Sequence, residues 1–303
     1  MDIAYFAAGF ALLFIGGELL VRGSVTIAKS LGLSSLLIGL TVVGFGTSSP
    51  ELITSITAAL NDNADIAIGN VVGSNIANVL LILGMSAIIY PISFGKTEIY
   101  RDSIIGVLAA IILGGLSVYG AIPRSVGFFL FAAMVMYLVY SYLSDKGDKA
   151  NTDEVDTGGN NDLVSFLKAF IYCIVSLALL YFGARWLVFG AVNIATELKV
   201  PPSVIGLTMV AVGTSLPELA TSLVAAMRKQ TDIAIGNILG SNLFNIFAVL
   251  GLTSIISPLK FEGKVAETDV WIMLAVAFVL LFFVRVRPQM GRLLGAAFLI
   301  TYI

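Results

Sequence analysis

Two glutamates in the sequence occupy the same place in two copies of one motif, inside long apolar segments. Glu51 lies in G-F-G-T-S-S-P-E-L-I-T-S (residues 44–55), and Glu218 lies in A-V-G-T-S-L-P-E-L-A-T-S (residues 211–222). An ionised carboxylate at the depth of lipid hydrocarbon costs at least about 2.5 kcal/mol, so such a residue faces a partner or a water-filled cavity. The sequence offers no lysine or arginine at comparable depth. The motif therefore predicts a bound cation as the countercharge of Glu51 and Glu218.

The residues around each glutamate suit the same chemistry. Pro50 has no N–H and displaces the carbonyl of Gly46, four residues earlier, from the helical pattern. Freed carbonyls are tolerated in a membrane where they line a cavity or bind ions. Thr47 and Ser48 precede Glu51 by four and three residues, so their oxygens share one helix face with it. Such oxygens are the ligands that hard cations prefer. A proline kink with Ser and Thr used only in packing is the alternative, but it does not explain a glutamate in both copies.

A second motif, D-I-A-I-G-N-x-x-G-S-N-x-x-N, also occurs twice, at residues 65–78 and 232–245. Its glycines stand four apart, which permits close helix approach. A serine and an asparagine, also four apart, face one way in each copy, and buried polar groups of this kind need partners. We interpret them as the second wall of the cation site, with bonding across helices as the alternative; Asn70 and Asn237 fit either interpretation. The residues assigned to this wall are Ser74, Asn78, Ser241 and Asn245.

The composition is that of an integral membrane protein. Of 303 residues, 58% are hydrophobic and 12% are charged, about half the charged share of a soluble domain. The net charge of −2 gives no basic footprint for nucleic acid, and histidine is absent. A single cysteine, Cys173, allows no internal disulfide and no cysteine-based metal site. An intramembrane hydrolase using Ser48 beside Glu51 would have no use for a duplicated motif. The sequence thus predicts no enzyme and no cofactor.

The chain is organised as two copies of one design. A shift of 167 residues aligns 39–94 with 206–261, and 30 of 56 positions are identical. Five predicted spans of about 20 residues separate matching positions, and because five is odd the second copy is inverted. We predict an all-α membrane protein: a five-helix repeat over 1–143 (motif 39–84), a linker over 144–162, and a second repeat over 163–303 (motif 206–251). The ten predicted spans are 3–22, 35–60, 66–90, 102–120, 124–143, 164–189, 202–227, 232–257, 268–284 and 291–303.

The basic residues predict the orientation. If crossings alternate, five of the 17 Lys and Arg fall on the side of the N-terminus and twelve on the other. An excess of basic residues marks the cytoplasmic side. We therefore predict a multi-pass cell-membrane protein with its N-terminus outside and the 144–162 linker in the cytoplasm.

The motifs resemble the α-repeats of the sodium/calcium exchanger family, within the wider cation/calcium exchanger superfamily. The matching stretches are G-T-S-S-P-E with G-S-N-I-A-N, and G-T-S-L-P-E with G-S-N-L-F-N. The short linker leaves no room for the large regulatory domain of animal exchangers, so the resemblance is to short prokaryotic members. It implies antiport of Ca²⁺ against Na⁺ by alternating access, in a chain that functions as a monomer.

The resemblance also implies ligand sets. A central Ca²⁺ site is implied at Glu51 and Glu218 with the backbone oxygens of Thr47 and Thr214. Two Na⁺ sites would flank it, each made of two serines, one backbone carbonyl and one of the glutamates, with Asn78 and Asn245 at the centre. The first Na⁺ site comprises Ser48, Ser241, the Gly44 carbonyl and Glu51. The second Na⁺ site comprises Ser74, Ser215, the Ala211 carbonyl and Glu218.

Other couplings stay open on the sequence. Two carboxylates balance one Ca²⁺ or two Na⁺, so the stoichiometry is not fixed. The proton-coupled branch of the superfamily carries an acidic residue in its second motif, which is missing here, and Ca²⁺/H⁺ exchange is the main alternative. Potassium-dependent relatives carry aspartate at the position of Asn245, so asparagine argues against K⁺ coupling. A Ca²⁺ channel could also use paired glutamates, but its flux would ignore the sodium gradient.

Overall fold

A computed structural model describes residues 2–150, 163–198, 213–261 and 263–303, with side chains described to residue 145 in the first range. Helices dominate these ranges, and several contain a wider π-helical stretch. The helices are α1 (Asp2–Leu31), α2 (Ser35–Thr47), α3 (Ser49–Leu60), α4 (Ala64–Ile89), α5 (Thr97–Tyr119), α6 (Arg124–Ala150), α7 (Leu163–Glu197), α8 (Leu216–Met227), α9 (Thr231–Ile256), α10 (Val265–Val286) and α11 (Arg292–Tyr302). The strands are β1 (Ile92–Ser93), β2 (Ala121–Ile122), β3 (Leu259–Lys260) and β4 (Gln289–Met290).

The helices are long and apolar enough to cross a membrane, as predicted. Seven helices of the described ranges meet that test, and α2 with α3 make an eighth span bent by 41°. Two shorter apolar helices, α8 and α11, are also present. The predicted span 202–227 lies partly outside the described residues. A helical membrane protein is therefore confirmed, whereas the count of ten crossings stays a prediction.

Two small strand pairs depart from the all-α prediction. β1 pairs with β4, and β2 pairs with β3, both antiparallel and both joining one half of the chain to the other. Prolines follow the preceding helices: Pro91 stands directly before β1, and Pro258 stands directly before β3. Because proline stops a helix and favours extended backbone on its N-terminal side, these connections pair as strands.

The predicted linker is shorter than expected, because α6 runs to Ala150 instead of ending at residue 143. Residues 144–150 are helical despite their polar sequence. At their start, Asp145 is 8% exposed and accepts a 3.0 Å hydrogen bond from the backbone N–H of Ser34, the N-cap residue of α2. The remaining predicted linker, 151–162, lies outside the described residues.

Glycines allow the helices around the centre to touch backbone to backbone. α1 and α7 pack along their length, and a Cβ added at Gly9 would lie 2.7 Å from the carbonyl oxygen of Gly183. α9 is almost entirely buried and crosses α2, where a Cβ added at Gly240 would overlap the Leu40 carbonyl and lie 2.7 Å from its Cα. In the 232–245 copy of the second motif the glycine spacing thus serves close packing, as interpreted from the sequence. This crossing places Ser241 of the second repeat beside Gly44 of the first.

Candidate cation site

Two broken helices carry the glutamates to the centre of the protein. The first break is at Ser48, between α2 and α3, with φ −85° and ψ 6°. Its twin is Ser215, before α8, with φ −84° and ψ 3°. A proline stands in the first turn after each break. Because Pro50 and Pro217 supply no N–H, the carbonyl four residues before each of them, that of Gly46 or Gly213, lacks its usual helical donor. Both breaks therefore end one helix segment and begin another beside Glu51 and Glu218.

Each glutamate is held by a serine of the opposite half. Glu51 and Glu218 are buried, at 0% and 1% exposure. Ser48 Oγ donates to Glu218 Oε1 at 2.8 Å, and Ser215 Oγ donates to Glu51 Oε1 at 3.5 Å. The resemblance grouped each serine with the glutamate three residues after it; the structure instead bonds each to the other repeat's glutamate. The two breaks face each other, so the hydroxyls reach across.

Each threonine before a break likewise bonds to a side chain of the opposite repeat. Thr47 Oγ1 donates to Asn237 Oδ1 at 3.0 Å, and Thr214 Oγ1 donates to Asn70 Oδ1 at 3.1 Å. Both hydroxyl hydrogens are thereby used, whereas the hydroxyl and backbone oxygens of Thr47 and Thr214 keep lone pairs for an ion. The backbone role that the family resemblance implies for these two residues stays a prediction.

Asn70 and Asn237 brace the helices that carry the glutamates. Asn70 Nδ2 donates to the Glu51 backbone carbonyl at 3.3 Å and to Ser55 Oγ at 3.1 Å. Asn237 Nδ2 does the same toward the Glu218 carbonyl at 3.4 Å and Ser222 Oγ at 2.9 Å. The sequence left these asparagines between two interpretations, and their bonds make them braces. Ser55 and Ser222 were missed, although both close the first motif in each copy.

The serines of the second motif reach the first motif as expected. Ser241 Oγ lies 3.5 Å from the Gly44 carbonyl oxygen, to which it donates. Ser215 Oγ lies 3.1 Å from Ser74 Oγ. The structure thus brings together two pairs that the implied Na⁺ sites require. Ala211, the carbonyl assigned to the second Na⁺ site, lies outside the described residues.

Four buried oxygens at this centre have no hydrogen-bond partner. They are one carboxylate oxygen of each glutamate, Glu51 Oε2 and Glu218 Oε2, and the amide oxygens of Asn78 and Asn245. An unpaired buried oxygen costs free energy comparable to a lost hydrogen bond, and more for a charged group. The ion pairs recorded for the described residues do not involve Glu51 or Glu218. A cluster with two acids and two amide oxygens, and no described base, is chemically suited to a hard cation.

The two acids stand without a third. No group of three or more His, Cys, Asp or Glu side chains that could hold a metal occurs among the described residues. This matches the sequence, in which asparagine occupies positions 78 and 245. The centre therefore carries at most two negative charges, a balance that one Ca²⁺ or two Na⁺ would neutralise.

The two sides of the centre are packed differently. Between α3 and α7 the described residues line a cavity of about 600 Å³, whose wall includes Pro50, Val188 and Thr214. On the opposite side α1 lies directly on α8, where a Cβ added at Gly17 would lie 3.2 Å from the Ala220 carbonyl oxygen. Glu18 of α1 also forms an ion pair with Arg228, just after α8. Among the described residues, a cavity thus lies beside the centre on the α7 side, and α1 packs against α8 on the Arg228 side.

Comparison with known proteins places the chain among ion exchangers. A family model described as sodium/calcium exchanger protein matches residues 1–143 and 168–303. The sodium/calcium exchanger MaX1 of Methanosarcina acetivorans is 34% identical over 97% of this chain and 94% of its own. The inner membrane protein YrbG of Escherichia coli is 33% identical over 96% and 91%. A solved structure of the sodium-calcium exchanger NCX_Mj, soaked with 10 mM Na⁺ and zero Ca²⁺, aligns with a TM-score of 0.87 at 32% identity, covering 99% of this chain and 96% of that one.

Proposed function

Because the chain belongs to the sodium/calcium exchanger family, we propose that it exchanges Ca²⁺ for Na⁺ across a membrane by alternating access to the central cluster. The observation that carries this proposal is the pair of buried glutamates, each with one oxygen unpartnered and with no described base beside it. Ca²⁺ or Na⁺ supplies the missing charge. With no ion bound, moving the site between the two sides would carry bare carboxylates past hydrocarbon, which is costly. That barrier favours exchange over leak.

The proposed assignment of ions to ligands follows the family resemblance. Ca²⁺ would take Glu51 Oε2 and Glu218 Oε2, with the backbone oxygens of Thr47 and Thr214. Na⁺ would take hydroxyl and carbonyl oxygens on either flank. The first flank offers Ser48, Ser241 and the Gly44 carbonyl, and the second offers Ser74, Ser215 and the Ala211 carbonyl. Because the serines bond across the halves, each flank would draw on the glutamates of both repeats.

We further propose ten crossings in two inverted repeats. Support comes from hydrogen bonds that recur with the halves exchanged: Ser48 bonds to Glu218, and Ser215 bonds to Glu51. Ser215 is the counterpart of Ser48, and Glu218 that of Glu51, at the repeat distance of 167 residues. The two strand pairs are related in the same way: β3 is the counterpart of β1 and β4 is that of β2, so the pair β1–β4 corresponds to the pair β3–β2. A two-fold axis between equal halves produces such reciprocal pairs, and an axis in the membrane plane inverts one half. Since one chain supplies both halves of the cluster, the proposed unit is a monomer.

The proposed orientation in the cell membrane places the N-terminus outside and the linker in the cytoplasm. Two contacts near the helix ends join residues that are predicted to lie on the same side of the membrane. Lys96 pairs with Asp232 at 2.7 Å, both on the predicted cytoplasmic side, and Arg124 donates to the Ile256 carbonyl on the other. In this orientation the cavity beside α7 opens outward.

Thiol labelling tests the orientation. Cys173 is the one cysteine in the sequence, so Cys173→Ala gives a thiol-free background. In that background a membrane-impermeant maleimide is expected to label Tyr119→Cys on intact cells, because Tyr119 is 74% exposed at the predicted outer end of α5. Asn151→Cys in the linker is expected to react after permeabilisation. Labelling of Asn151→Cys, and protection of Tyr119→Cys, on intact cells would reverse the proposed topology.

The function itself is tested in proteoliposomes loaded in turn with Na⁺, K⁺ or acidic buffer and diluted into ⁴⁵Ca²⁺. An outward Na⁺ gradient is expected to drive Ca²⁺ uptake, and K⁺ or proton gradients of equal size are expected to give uptake near that of protein-free vesicles. Uptake driven by the proton gradient alone would replace the proposal with Ca²⁺/H⁺ exchange. Ca²⁺ uptake that does not depend on any of the imposed Na⁺, K⁺ or proton gradients would indicate a channel.

A further inference from the structure

We propose that Asn75 and Asn242 are positioning residues that turn the amides of Asn245 and Asn78 so that each presents oxygen to the cation. The inference rests on the proposed function and adds two residues, outside the ligand sets above, that decide which atom faces the ion. Both belong to the second motif, one position after Ser74 and Ser241.

The four asparagines form a network between α4 and α9. Asn245 Nδ2 donates to Asn75 Oδ1 at 3.0 Å, and Asn78 Nδ2 donates to Asn242 Oδ1 at 3.0 Å. The nitrogen of each central amide therefore donates one hydrogen bond within the network. Their oxygens, Asn78 Oδ1 and Asn245 Oδ1, are buried and have no partner. They are the only side-chain oxygens of this network recorded without a bond among the described residues.

The direction of these hydrogen bonds is fixed because the amide of Asn75 also bonds to the backbone. Asn75 Nδ2 donates to the backbone carbonyl of Asn242 at 3.2 Å. A rotation of the Asn75 amide by a half turn would point its oxygen at that carbonyl oxygen, and two acceptors facing each other cannot bond. Asn75 Oδ1 is thereby directed at Asn245, and the orientation is passed from the backbone of α9 through Asn75 to the central amide.

The orientation matters because an amide has two chemically opposite ends. With oxygen toward the cluster, Asn245 adds a neutral ligand for Ca²⁺ or Na⁺. With nitrogen toward the cluster, it would donate hydrogen bonds to the carboxylates and compete with the cation. Asn75 Oδ1 disfavours the orientation with nitrogen toward the cluster, because it accepts a hydrogen bond from Asn245 Nδ2. An aspartate at position 245 would present oxygen at either orientation and would need no such control.

A double-mutant cycle tests the inference. Half-saturating Ca²⁺ for Na⁺-driven uptake, and Ca²⁺ affinity by titration calorimetry, are measured for Asn75→Leu, Asn245→Asp and the double variant. Asn75→Leu is expected to weaken Ca²⁺ binding about tenfold, the effect of one hydrogen bond that holds a ligand. In the Asn245→Asp background the same substitution is expected to change affinity by less than about twofold, since the carboxylate has no orientation to lose.

The twin residue supplies the matched control. Asn242 orients Asn78, not Asn245, so Asn242→Leu is expected to weaken binding about tenfold even in the Asn245→Asp background. An Asn75→Leu effect equal in both backgrounds would show a packing role and overturn the inference. Because calorimetry reads binding without a sodium gradient, failure of Na⁺/Ca²⁺ exchange in the wild type would be seen separately.

Discussion

Vesicles containing Glu51→Gln or Glu218→Gln are expected to lose Na⁺-driven Ca²⁺ uptake. Glutamine keeps the shape of the side chain and can keep the bond from the opposite serine, but it removes half of the negative charge at the centre. Loss of one partner from a buried charge pair costs about 3–5 kcal/mol, which corresponds to a fall of at least about 100-fold in Ca²⁺ affinity. Uptake of ⁴⁵Ca²⁺ as a function of Ca²⁺ concentration measures the loss.

An acidic residue outside the cluster gives the control for these variants. Asp65 lies exposed in the first turn of α4. Asp65→Asn is expected to transport with less than about a twofold change, because an exposed helix-terminal charge contributes only about 0.3–1 kcal/mol. Normal exchange by both glutamine variants would remove Glu51 and Glu218 from the mechanism. Equal loss in Asp65→Asn would indicate a general effect of acidic residues on the protein.

The second large effect is expected on folding. Gly240→Ala places a methyl group against the backbone of Leu40, where α9 crosses α2, and an added Cβ would lie 2.7 Å from the Leu40 Cα. Backbone cannot rotate away as a side chain can, so the helices must separate. Overpacking of this kind costs about 1–3 kcal/mol or more. Thermal unfolding of the detergent-solubilised variant is expected to occur at a clearly lower temperature than that of the wild type.

Gly114→Ala provides the matched comparison. Gly114 lies buried inside α5, and a Cβ there would meet Trp271 at 3.5 Å, an ordinary contact. Alanine is favoured over glycine in a helix by about 1 kcal/mol, so this variant is expected to be as stable as wild type or more so. Equal stability of Gly240→Ala and Gly114→Ala would contradict the close crossing of α9 and α2.

The central residues were predictable from sequence because two strong signals coincide there. A carboxylate inside an apolar span demands a partner whatever the fold, and a repeat of 167 residues marks Glu51 and Glu218 as equivalent. The same repeat made Ser74, Asn78, Ser241 and Asn245 visible as a set. The structure places all four around the glutamates or in the network beside them. Their roles as ion ligands are proposals that the experiments above address.

What the sequence could not predict depends on how the halves dock. The reach of Ser48 to Glu218, across 170 positions, follows from two helix breaks facing each other, and no local pattern encodes that. The orienting role of Asn75 likewise requires the Asn242 carbonyl from the other repeat. The extension of α6 to Ala150 was also not predicted, because the polar composition of residues 144–150 suggested solvent, whereas Asp145 is buried against the start of α2.

The central claim is that Ca²⁺ and Na⁺ compete for the same two carboxylates. Equilibrium ⁴⁵Ca²⁺ binding to the purified protein, titrated with Na⁺ at constant ionic strength held by choline, tests it most directly. Bound Ca²⁺ is expected to fall with more than the first power of Na⁺ concentration, because more than one Na⁺ is needed to match the charge of one Ca²⁺, and K⁺ should not substitute. Ca²⁺ binding that persists unchanged as Na⁺ rises would contradict the shared site.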